Sequence, residues 1–204
     1  MPNSLILRYT KTGLGSLRTA ACLVACLYTA LIGQEAAAVA PPPYEIEIVK
    51  STRLLHLKRG NQIIRTFNAA FGKGLSGPKR IRGDNKTPVG EYRIVEYITD
   101  SKFHFFMQLN YPNTLDAWHG YQDQLITASE YKQIIAAIKQ NLLPPQDTAL
   151  GGQIGIHGIG ETTDETLKIH AAVNWTEGCI ALTNQDINFL RRYAVPGTRV
   201  HIIE

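Results

Sequence analysis

From Tyr44 onward the chain alternates: Ile46 and Ile48 stand against Glu45 and Glu47, then Leu55 and Leu57 against His56 and Lys58. Successive side chains of a strand point to opposite faces, so a period of two predicts strands with one buried side. Lys58-Arg59-Gly60-Asn61 reads as a turn before a β-rich run from Ile63 to Phe71, which together predict an amino-terminal hairpin. Residues 72 to 90 carry Gly72, Gly74, Gly77, Pro78, Gly83, Pro88 and Gly90, too much punctuation for regular structure. Glu91 to Ile98 and Phe103 to Leu109 predict two further strands. Thr127 with Glu130 forms a capping box, and Tyr131, Ile134, Ile135, Ile138 and Leu142 recur at helical spacing before Pro144-Pro145. Gln153 to His157 and Cys179 to Leu182 read as short strands, Asn184 to Tyr193 as a helix, and Arg199 to Ile203 as a last strand after the Pro196-Gly197 turn. The sum is a mostly β domain with two helices.

The amino terminus follows a different pattern. Arg8, Lys11 and Arg18 precede a run from Thr19 to Gly33 in which 12 of 15 residues are apolar, with Ala36, Ala37, Ala38 and Ala40 after it. A basic start, an apolar stretch too short to span a bilayer and small residues beyond it predict a secretory signal over residues 1–40. Cleavage after Ala38 fits better than after Ala40, because Pro41 would then begin the mature chain. An uncleaved anchor and lipidation at Cys26 of Leu23-Val24-Ala25-Cys26 are the alternatives. Pro41-Pro42-Pro43 is a stiff spacer leading into a single domain over residues 41–204.

Composition narrows the function classes. With 44% hydrophobic and 19% charged residues the chain can bury one ordinary core. Half of the formal charge of +4 belongs to the first forty residues, so the domain has no charge demand for nucleic acid, and a membrane contact is expected only through the signal segment. Removal of the signal takes Cys22 and Cys26 away and leaves Cys179 as a single thiol, exported to an oxidising compartment, the periplasm or cell envelope.

That thiol follows a glycine and opens a strand, and Gly155-Ile156-His157-Gly158 closes another. If the two strands lie side by side, imidazole and thiol can meet, the pairing that activates a sulfur nucleophile. The amides of Gly178 and Cys179 would then face the oxyanion of a tetrahedral intermediate. His170 could join His157 and Cys179 around zinc, but the paired ligand spacing of structural sites is lacking, and no metal is expected. His56, His104, His119 and His201 have no evident partner. The basic stretch Lys73, Lys79, Arg80, Arg82 and Lys86 reads as a solvated loop or an attraction for anionic peptides, and Trp118 and Trp175 as core residues. Ile159 to Val173, with Glu161, Asp164 and Glu165, reads as a lid or a solvated loop.

The order His-Gly, then Thr176-Glu177-Gly178-Cys179-Ile180, resembles the catalytic motif of the L,D-transpeptidases, the YkuD-type enzymes that rework bacterial peptidoglycan. Thr87-Pro88-Val89-Gly90-Glu91-Tyr92 is similar to a further element of that family. Leu109-Asn110-Tyr111-Pro112-Asn113, Gly151-Gly152 and Pro196-Gly197-Thr198 are similar to a murein-directed branch of it. The resemblance spans roughly residues 45 to 204. It implies a mainly β fold, a β-sandwich or mixed sheets with two or three helices, and a cysteine acyltransferase acting on peptidoglycan stem peptides in cell-wall remodelling, without metal or organic cofactor. By position, Cys179 matches the nucleophile, His157 the base, Gly178 and Cys179 the oxyanion donors, and Gly158 the main chain that orients the imidazole. The thioester would be resolved by a stem-peptide amine, a wall-anchored protein or water. Thr176 and Glu177 replace the Ser and His of many members, and Ala181 replaces an Arg or Asn. Thr176 and Glu177 are weak candidates for substrate contact, and the changes leave two rivals: a hydrolase using the same thioester, and a wall-binding module without turnover.

Overall fold

The computed structural model describes residues 43–204. The expected signal segment, with Cys22 and Cys26, lies outside the described residues. Eight strands form one mixed sheet in the order β3-β2-β1-β8-β4-β5-β6-β7. They are β1 (Glu45–Val49), β2 (Leu54–Arg59), β3 (Gln62–Asn68), β4 (Gly90–Ile98), β5 (Phe106–Leu109), β6 (Gly155–His157), β7 (Ile180–Ala181) and β8 (Arg199–Ile203). The hairpin of β1 and β2 extends antiparallel to β3, while β8 inserts parallel to β1 and antiparallel to β4. Beyond β3 the chain crosses to the opposite edge, where Ala70 bridges Ala181 and Gly72 bridges Thr176, so the sheet curls back on itself.

The period-two residues do what their spacing predicts. Ile46, Ile48, Leu55, Leu57, Val200 and Ile202 are all buried in one cluster with Tyr92, Ile94, Leu109 and Ile156. Each such side chain contributes about 1.5–3 kcal/mol of transfer free energy, which fixes the register of β1, β2, β8 and β4, because a one-residue slip would turn this face to water.

Among the described residues four helices pack around the sheet: α1 (Thr114–Gln122), α2 (Ala128–Lys139), α3 (Asp164–Ala172) and α4 (Asn184–Leu190). The pattern announces α2 and α4 and misses the other two. Helix α2 begins at the predicted Thr127–Glu130 capping box and buries Ile134 against Ala117, Ile126 and Leu150, so its stripe docks on its own domain. In α1 the large residues Leu115, Trp118 and Tyr121 stay exposed, and Ala117 and Gly120 are buried instead. Gly120 lies against Leu150, where an added Cβ would stand 2.5 Å from a methyl. Trp118, expected in the core, is 46% exposed. Helix α3 forms where a lid or loop is expected. Thr163 caps its start, and Arg53, far away on the β1–β2 turn, donates to the carbonyls of His170, Ala171 and Val173 at its end. No helix among the described residues is long and apolar enough to cross a membrane.

Candidate active site

Several motif segments turn out to build the frame of the site. Thr87 is buried and its hydroxyl accepts the Gly72 amide at 2.9 Å, which anchors the glycine-rich loop. Asn110 accepts the Arg93 amide at 2.7 Å, and Asn113 caps α1. Tyr92 donates to Asp116 at 2.7 Å inside the domain, and burial pushes that carboxyl up to about 6.

Strands β6 and β7 are parallel, with Ile156 beside Ile180 and His157 beside Ala181. Cys179, one step before β7, therefore stands level with Gly155, and residues two apart along a strand share a face. His157 and Cys179 both line a cleft of about 1060 Å³, together with Gln153, Phe103, Phe106, Trp175 and Glu177.

The imidazole is held on every side. Its Nδ1 lies 2.6 Å from the Gly158 carbonyl. A carbonyl only accepts, so Nδ1 carries the hydrogen and Nε2 keeps its lone pair. Phe103 stacks on the ring at 4.3 Å between centroids, Phe106 lies parallel at 5.7 Å, and Trp175 meets it edge-on at 6.0 Å. Burial lowers the His157 pKa to about 4 against the smaller opposing effect of the Gly158 bond. Gly158 has no room for a side chain: a Cβ would lie 2.5 Å from Asn184 Oδ1 and 2.7 Å from the Phe103 carbonyl.

The thiol is also in its neutral form. Cys179 Sγ donates to the Gln153 carbonyl at 3.3 Å. Burial pushes its pKa up to about 11; the Glu177 charge adds to the rise, and the Gly155 amide and the Lys79 charge oppose it. Gln146 fixes Gln153 in turn, its Oε1 accepting the Gln153 amide at 2.6 Å.

The turn before the thiol departs from expectation. Thr176, a candidate substrate contact, is 3% exposed. Its hydroxyl donates to the Cys179 carbonyl at 2.7 Å and accepts the Gly178 amide at 3.2 Å. It has no hydrogen left for a ligand, and the Gly178 amide is drawn away from the expected oxyanion role. The Cys179 amide has no hydrogen-bond partner among the described residues. Gly178 is required by its φ of +138° and by Lys86 O, which would lie 2.8 Å from a Cβ. Glu177, the other weak candidate, is exposed at the turn and faces the cleft.

Other expectations are revised. Lys79 is buried, with Nζ 2.8 Å from Asp84, so the basic stretch is not simply a solvated loop. His170 is buried on α3 and accepts from Trp175 Nε1 at 3.5 Å. Among the described residues no group of three His, Cys, Asp or Glu could hold a metal. His56, His104 and His201 meet Thr66, Asn188 and Glu91, partners invisible in the sequence. Phe103, Phe106, Gln146 and Gln153 escape sequence reasoning altogether, since no local signal marks an aromatic or a carbonyl as a neighbour of a distant histidine.

Comparison with known proteins agrees with this architecture. The sequence pattern of the YkuD L,D-transpeptidase catalytic domain matches residues 43–202. YafK of Escherichia coli (strain K12) is 31% identical over 90 residues, 41% of this chain and 37% of that protein. Among solved structures, the helical cell shape determining protein Pgp2 from Campylobacter jejuni aligns with a TM-score of 0.51 at 22% identity, covering 81% of this chain and 49% of that one. Bd1075 of Bdellovibrio bacteriovorus aligns at 0.49 and 23% identity, over 80% of this chain and 49% of its own. At its identity the likeness to Pgp2 concerns the fold alone, and these matches span less than half the length of the relatives.

Proposed function

Because the chain belongs to the YkuD L,D-transpeptidase catalytic domain family, a peptidoglycan-modifying class, we propose that it is an exported cysteine acyltransferase acting on peptidoglycan stem peptides. Cys179 is the nucleophile and His157 the base. The observation that carries this reading is the 2.6 Å bond from His157 Nδ1 to the Gly158 carbonyl, which leaves Nε2 as a proton acceptor in the cleft that also holds the thiol.

With both groups neutral at rest, proton transfer accompanies attack. The Cys179 sulfur adds to the carbonyl carbon of the amide after diaminopimelate in a stem tetrapeptide, and its proton passes to His157 Nε2. The carbonyl oxygen becomes an oxyanion beside the Cys179 amide; one such donor lowers the barrier by about 2.7–4 kcal/mol. Collapse breaks the carbon–nitrogen bond, His157 returns the proton to the departing D-alanine amine, and a thioester remains. An amine then adds to the thioester carbonyl carbon and His157 takes its proton; the carbon–sulfur bond breaks, and the departing sulfur regains that proton from His157, restoring the thiol. Phe103, Phe106 and Trp175 exclude water from the ring and hold its plane.

Incubation with a purified disaccharide tetrapeptide tests the reading. Intact-mass analysis is expected to show an adduct at Cys179 equal to the substrate less D-alanine, cross-linked dimers in solution, and neither with Cys179→Ala. Tripeptide and free D-alanine without dimers would make the enzyme a hydrolase through the same thioester. Full product formation by Cys179→Ala would overturn the mechanism, and binding to sacculi without any adduct would leave a wall-binding module.

A further inference from the structure

The parallel bridge between Gly72 and Thr176 orders the residues that follow it. Lys73 donates its amide to Thr176 O at 2.9 Å, and Thr176 donates to Phe71 O at 3.0 Å, so Lys73 and Glu177 leave the bridge side by side. Both are exposed, and both line the cleft that contains Cys179. They carry opposite charges, yet neither enters an ion pair among the described residues. Of the other basic groups that line the cleft, Lys102 lies over the Phe103 ring, and Lys79 and Arg82 are engaged by hydrogen bonds. Lys79 Nζ binds Asp84 and the Ile81 carbonyl, at 2.8 and 2.9 Å. The Arg82 guanidinium binds the carbonyls of Thr148 and Gln146. A cation and an anion therefore remain available together, two residues from the thiol on one segment and alongside it on the other.

We propose that Lys73 and Glu177 form a subsite for a free amino-acid head, Lys73 taking the carboxylate and Glu177 the ammonium borne on the same carbon. The subsite rests on the acyl-transfer reading, in which the diaminopimelate side chain of the stem peptide ends in such a head. A ligand with only one charge satisfies one residue and leaves the other solvated. A lysine-type side chain engages Glu177 alone, and a simple carboxylate engages Lys73 alone. The Thr176 hydroxyl, bonded on both sides of the turn, holds Glu177 in place without reaching the ligand itself.

The test is protection of Cys179 against iodoacetamide, followed by intact-mass analysis. Three probes are compared, each N-acetylated and amidated at one end: diaminopimelate, lysine, and 2-aminopimelate with its distal carboxylate free. The wild-type chain is expected to be half-protected by the diaminopimelate probe at about fivefold lower concentration than by either singly charged probe, the scale of an added exposed ion pair. Lys73→Gln is expected to erase the advantage over the lysine probe, and Glu177→Gln the advantage over the aminopimelate probe. Equal protection by all three in the wild type, or an advantage that survives both substitutions, would overturn the subsite. A preference lost in the variants, with no acyl adduct formed from stem tetrapeptide, would support the subsite and defeat the acyl-transfer reading. An adduct formed without any preference would do the reverse.

Discussion

Thr176 and Cys179 are joined by a hydrogen bond of 2.7 Å from the threonine hydroxyl to the cysteine carbonyl, and the same oxygen accepts the Gly178 amide at 3.2 Å. One buried hydroxyl thus sets the shape of the turn that carries the thiol. Thr176→Val keeps the volume and removes both bonds, leaving a buried amide without an acceptor. The expected cost is about 1–3 kcal/mol, read as a lower urea midpoint, and Thr176→Ser is expected to recover most of it. An unchanged midpoint for Thr176→Val would show that the turn holds without the hydroxyl.

The pKa positions of the pair predict a pH profile. With Cys179 raised to about 11 and His157 lowered to about 4, thiol and imidazole are both uncharged between those values. The thiolate is the reactive species, so alkylation of Cys179 should climb about tenfold per pH unit from 6 to 9. A plateau at neutral pH would instead mean a resting thiolate–imidazolium pair.

Gly158→Ala tests the support of the imidazole. The new methyl meets Asn184 Oδ1 and the Phe103 carbonyl at distances that require the backbone to move, and the carbonyl that orients His157 belongs to the same residue. A loss of about 1–3 kcal/mol in stability is expected from overpacking, with a fall in turnover larger than the fraction unfolded explains. Normal turnover per folded molecule would show that the histidine does not depend on this carbonyl.

Asp116 predicts a pH effect on stability away from the cleft. Its carboxyl is raised to about 6 by burial, against hydrogen bonds from the Asn113 amide and Tyr92 that pull it down. Below its ordinary value near 3.8 the group is neutral in both folded and unfolded chains. Between about 3.8 and about 6 only the unfolded chain gives up its proton, so stability falls as pH rises through that window and then levels off. Asp116→Asn keeps a carbonyl for Tyr92 and Asn113. The difference in melting temperature, variant less wild type, is expected to grow in the variant's favour from pH 4 to 6. A difference that is flat with pH would refute this account of Asp116.

Several features are legible in the chain itself. The strands whose apolar residues alternate, β1, β2 and β8, can be read directly, because burial of one face is recorded at every second residue. The capped helix α2 is legible because its first turn satisfies its own amides locally. The sequence neighbours of the candidate site, His157-Gly158 and Gly178-Cys179, are equally plain. Helices α1 and α3 were not legible. Their buried residues are few, and the end of α3 depends on Arg53, 117 to 120 residues away from the carbonyls it caps.

Sequence alone determined which residue types could carry the chemistry and which strands would deliver them, since periodicity and glycine placement are local properties. Tertiary structure decided that Phe103, Phe106 and Trp175 enclose the imidazole, that Thr176 takes the Gly178 amide, that Lys79 is buried on Asp84, and that Lys73 stands beside Glu177. Most of these relations depend on the register between distant segments. Register follows from how the whole apolar face packs, and no single stretch of the chain contains that information.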